Sequence, residues 1–108
     1  MSQTVNITIQ CIRKETAGPG PDNVRVFVQA DNADQADHTR DMQPGDRWPL
    51  PAVTFLNSVL VDVWEQDTID PDDHLGEVRI LIGDANDDSR DIAGGNYHYR
   101  VAWSKVPA

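Results

Sequence analysis

Cysteine is nearly absent: the chain has one, Cys11. No intrachain disulfide can form, and a zinc site built on thiolates is excluded. Basic residues are scarce as well, 9 Lys and Arg against 18 Asp and Glu, for a formal charge of −9. A phosphate backbone needs a basic footprint, so nucleic acid is not the expected partner, and the chain alone has no grip on an anionic membrane. Long apolar runs are missing, so no segment reaches the ~20 residues of a membrane-spanning helix. The N-terminal MSQTVNITIQ lacks the basic-then-apolar order of a signal peptide. The expectation is a cytoplasmic protein, with leaderless secretion left open. Helical apolar stripes, internal repeats, a G-x-S-x-G elbow and a phosphate loop are all missing, so no enzyme is read.

What is present is alternation. Val5, Ile7, Ile9 and Cys11 alternate with polar neighbours, the period of a half-buried strand. Cys11 on that apolar face reads as a small core residue. Val24, Val26, Val28 and Ala30 repeat the pattern, as do Val59, Val61 and Val63, and Tyr97, Tyr99, Val101 and Trp103. Residues 78–82, VRILI, read as another strand. Between these lie turn signals: TAGPGPDN at 16–23, Pro44-Gly45-Asp46, and Pro49 and Pro51 around Leu50. Residues 31–37, DNADQAD, read as a polar turn, and residues 38–50 as an irregular edge strand or loop. Residues 84–95, DANDDSRDIAGG, read as a long loop with room for one helical turn. The 108 residues suit one domain over 1–108, an all-β antiparallel sandwich of seven or eight strands.

The stretch after Trp64, EQDTIDPDDHLGE, holds six carboxylates in thirteen residues and no Lys or Arg. On a strand, Val59, Val61, Val63, Glu65 and Asp67 point to one side. The valines make a core face, and the two acids continue it beyond the core, toward the gap between the sheets. Asp73, returning after the Asp70-Pro71-Asp72 turn, can face them. Acids aimed into one gap repel unless a cation joins them. Ca²⁺ suits such a site, because it takes ~6–8 oxygen ligands with tolerant geometry. An EF-hand is excluded: loops starting at Asp67 or Asp70 put Asp72 or Leu75 at the sixth position, which needs Gly. The competing reading of the same acids is a solvated loop that keeps an edge from aggregating. Asp22 after Pro21 has two readings, a turn residue or a ligand. The acids 84, 87, 88 and 91 match no ligand spacing.

The segment VWEQDTIDPDDHLG resembles the third calcium loop of C2 domains, the calcium- and lipid-binding domains of the synaptotagmin and protein kinase C type. That loop reads V-x-D-x-D, five residues, then D, an aromatic or apolar residue, an apolar residue and G. Glu65, Asp67 and Asp73 fall on its acidic positions, and Leu75-Gly76 on its closing pair. A looser likeness, GPGPDNVRVFV, sets Asp22 at the end of the first loop, with Glu15 the candidate for that loop's earlier acid. Two departures stand out. Glu65 replaces the usual Asp, and residues 36–50 carry only Arg40 and Arg47 where many such domains have a lysine-rich strand. The resemblance implies a non-catalytic binding module with Ca²⁺ held by Asp22, Glu65, Asp67 and Asp73, and a phospholipid membrane or a protein as partner. The alternatives are a calcium-independent protein-interaction sandwich and a carbohydrate-binding module that stacks sugar on exposed tryptophans.

Overall fold

The computed structural model describes residues 2–66 and 71–106. They form nine strands: β1 (Gln3–Arg13), β2 (Asp22–Ala30), β3 (Ala36–Met42), β4 (Arg47–Pro49), β5 (Val53–Phe55), β6 (Ser58–Glu65), β7 (Asp73–Leu81), β8 (Asp87–Ala93) and β9 (His98–Val106). Every pairing is antiparallel. One sheet runs β4-β1-β9-β8, with β5 also on β1; the other runs β3-β2-β6-β7. Among the described residues no helix is long and apolar enough to cross a membrane.

The alternating residues determine how the sheets face each other. Val5, Ile7, Ile9 and Cys11 of β1 join Tyr99, Val101 and Trp103 of β9 on one inner face. Val24, Val26 and Val28 of β2 and Val59, Val61 and Val63 of β6 form the other, flanked by Val78 and Ile80 of β7. β-branched side chains are stiff and fit a pleated surface, so this valine-rich layer favours strand over helix. Full burial of each such side chain stabilises the fold by roughly 1.5–3 kcal/mol.

Two stretches refine the sequence reading. Of the two readings for residues 38–50, the edge strand holds over 38–42, where β3 is regular and starts at 36, inside the expected turn; residues 87–93, expected as loop, are the strand β8. Both lie at sheet edges, and each buries one apolar side chain, Met42 or Ile92. An edge strand with polar residues on both faces shows no period of two. The acids of β8 are engaged on the surface instead: Asp88 pairs with Arg90, and Asp91 with Arg100 and His98. Such acids also blunt an open edge.

A candidate cation site at one end of the sandwich

The site grows out of the β6 row. Val59, Val61 and Val63 are fully buried, and Glu65 continues the row at 4% exposure. Across from it stands β7, and here the ladder changes step. Val63 pairs with Gly76, but Trp64 pairs with His74 and Glu65 with Asp73, so Leu75 is an extra residue. Opposed residues in an antiparallel pair point to the same side. Without the bulge, His74 would oppose Glu65 and Asp73 would turn to the outer face. The extra residue aims Asp73 toward Glu65, a known use of bulges. Gly76 is required there: its φ is +155°, and a Cβ would lie 2.6 Å from Ile92 Cγ2 on the facing sheet. The carbonyl of Leu75 accepts a hydrogen bond from Tyr97 Oη at 2.7 Å, which fixes the bulge to the other sheet.

The third acid comes from the β1–β2 connection. The β1–β9 ladder also slips between Cys11 and Arg13. The chain then leaves the sheet through Lys14, whose ammonium donates to the carbonyls of Gly18 and Gly20 and ties off the loop. This delivers Glu15 to the same place. Carboxylate oxygens of Glu15, Glu65 and Asp73 lie within 4.8 Å of one another. Glu65 is buried, Glu15 half-buried and Asp73 exposed, so the group runs from the interior to solvent. Among the described residues, buried Glu15 Oε2 has no hydrogen-bond partner. Burial, then the Asp73 carboxyl, then the charges of Glu65 and Asp22 push the Glu15 carboxyl up to about 8.

Asp22 behaves differently. It is fully buried at the start of β2. Its Oδ2 accepts from the Glu15 amide at 2.7 Å and its Oδ1 from the Thr16 amide at 2.7 Å. The Tyr99 hydroxyl, rising from the core, donates to Oδ2. Burial opposes the charge of Asp22 most strongly. The donors, led by Thr16 and Tyr99, outweigh it and hold the carboxyl below its ordinary value. Thr16 Oγ1 in turn donates to Glu65 Oε1 at 3.3 Å.

Of the residues singled out in the sequence, Glu65 and Asp73 therefore meet, and Glu15 joins them. Asp22 lies one hydrogen bond behind Glu15, and Asp67 lies outside the described residues. Thr16 and Tyr99 were not anticipated. The available signal was Tyr99 itself, because a tyrosine on a core face needs a partner for its hydroxyl. The donor set is all oxygen and anionic, which suits a hard cation such as Ca²⁺ and not zinc. The tryptophans do not form the exposed platform expected for sugar stacking. Trp103 is 3% exposed and donates to the Ala85 carbonyl, Trp48 packs on the core, and Trp64 is half-buried against His74 with ring centroids 4.6 Å apart.

Neither a family model nor a curated protein sequence matches the chain. Solved structures do. A C2 domain structure aligns over 99% of both chains with a TM-score of 0.62 and 14% identity. Human GIVD cytosolic phospholipase A2, crystallised with an inhibitor and terbium chloride, matches 100% of this chain with a TM-score of 0.61 and 12% identity; this chain spans 18% of that enzyme. A C2 domain of plant extended synaptotagmin 1 aligns over 98% of this chain and 95% of its own, with a TM-score of 0.58 and 9% identity. Identities this low speak to the fold alone. The chain is an all-β antiparallel sandwich with the C2-like fold.

Proposed function

We propose that this chain is a non-catalytic binding module that takes Ca²⁺ between Glu15, Glu65 and Asp73, with Asp67 and loop carbonyls as further ligands. The observation that supports this reading is the meeting of three carboxylates from the β1–β2 connection and the paired ends of β6 and β7, one with a buried oxygen unpartnered among the described residues. A divalent ion there offsets the mutual repulsion of the three carboxylates, and the ordered loops then present it outward. A membrane phosphate or a carboxylate of a protein partner can complete its shell. Titration with Ca²⁺ in chelator-treated buffer tests the reading. A saturable rise in melting temperature is expected, and it should be lost when Asp67→Asn is combined with Asp73→Asn. No rise at millimolar Ca²⁺ rules the site out.

A second reading, a calcium-independent protein-docking sandwich, draws on the opposite end of the molecule. There Leu56, Leu81 and Ile82 are 42%, 45% and 44% exposed, Leu81 at the end of β7 and the other two in neighbouring turns. Binding of a protein partner that is unchanged by chelator favours this reading over the first.

A further inference from the structure

We infer that Thr16, held by the buried Asp22–Tyr99 pair, is a positioning residue that aims Glu15 and Glu65 at the cation. Asp22 acts through this clamp and not as a ligand. The inference rests on the cation-site reading above and goes beyond it by giving these three residues roles. Tyr99 and Asp22 are both fully buried inside an otherwise apolar sandwich. A carboxylate there is costly unless donors surround it. Asp22 has them: the amides of Glu15 and Thr16 at 2.7 Å each, and the Tyr99 hydroxyl. The two amides belong to the residues whose side chains reach the site. Thr16 is the junction, since its amide faces Asp22 and its hydroxyl reaches Glu65 Oε1 at 3.3 Å. The core layer thereby dictates where the acids of two different sheets stand.

A ligand oxygen oriented by a hydrogen bond binds a metal more tightly than a free one, and loss of such outer partners costs ~10–100-fold in affinity. Thr16→Val keeps the shape of the half-buried side chain and removes its hydroxyl. Tyr99→Phe keeps the ring in the core and removes the donor to Asp22. Affinity is read by calorimetric titration with Ca²⁺ alone, and hydrogen exchange of the Glu15 and Thr16 amides is followed in chelator. Both variants are expected to bind Ca²⁺ about tenfold more weakly, and Thr16→Ser to restore wild-type affinity. Tyr99→Phe should also speed exchange at both amides in the metal-free protein. Asp22→Asn joined to Thr16→Val should lose little more than either alone, because both break one chain of contacts.

The outcomes separate cleanly. A wild-type protein that binds no Ca²⁺ removes the cation-site reading and this inference with it. A wild type that binds, beside a Thr16→Val variant that binds equally well, overturns the positioning role alone. Losses that multiply in Asp22→Asn with Thr16→Val mark Asp22 as a ligand in its own right and overturn its assignment to the clamp.

Discussion

The two ends of the sandwich solve opposite electrostatic problems. At one end Lys105, 8% exposed, sends its ammonium to the carbonyls of Ile82, at 3.0 Å, and Asp84. Asp31, at the same end, accepts the amides of Leu56 and Asn57 at 2.9 and 2.8 Å. Each charge there meets the opposite end of a peptide dipole. At the other end Glu15, Glu65 and Asp73 meet one another, and among the described residues Glu15 Oε2 meets no donor. The ladders differ in step with the charges. Both β1–β9 and β6–β7 run in unbroken register at the Lys105 end and slip by one residue at the acidic end. A regular ladder closes the fold with its charges satisfied by the protein. A bulged ladder turns acidic side chains toward one another.

The comparison can be broken first at the satisfied end. Lys105→Met removes two charge-assisted hydrogen bonds to part-buried carbonyls, so stability in urea should fall by about 2–3 kcal/mol. Next in size, Ca²⁺ at 100 times its dissociation constant should raise stability by about 2.7 kcal/mol. The same increment is expected in Lys105→Met, because sites this far apart act independently. A smaller effect is expected from Glu15→Gln. The raised Glu15 pKa means that the folded state holds its proton longer than the unfolded chain does. Stability of the metal-free protein therefore falls as pH rises from the ordinary carboxylate range to about 8, then levels off. Glu15→Gln should flatten that slope in thermal melts, and above pH 8 should stabilise the metal-free protein by on the order of 1 kcal/mol, a figure reduced for solvent screening. Ca²⁺ competes with the same proton, so its affinity should strengthen across that window. The smallest effect is at Asp31, where neutralisation has the opposite sign. Its amide donors hold its carboxyl below the ordinary value, so Asp31→Ala should slightly lower the melting temperature at neutral pH.

Much of this was legible in the residues. The valine rows gave β2 and β6, and β1 and β9 followed from the same alternation, because a half-buried strand must present apolar side chains every second position. Glu65 at the end of a buried row was legible for the same reason. β8 was not, and β3 was only half legible, as an irregular edge strand or loop from residue 38, since an edge strand solvated on both faces leaves no period. Asp73 was expected to face Glu65 across a loop. It does so as a strand residue, in direct register, and only because Leu75 is inserted. Asp22 was visible as an acid at the right place in the chain, but its surroundings were not. Tyr99 lies 77 positions away, and nothing local foretells their contact.

The sequence by itself determined the class of fold, the inner faces of the main strands and the excess of negative charge, because these depend on composition and on a period of two. The tertiary fold settles which acids meet, which one is held by donors from the core, and at which end of the sandwich the carboxylates gather. Those depend on register and on contacts between residues far apart in the chain. A shift of one position in a ladder reverses the side that every later residue faces.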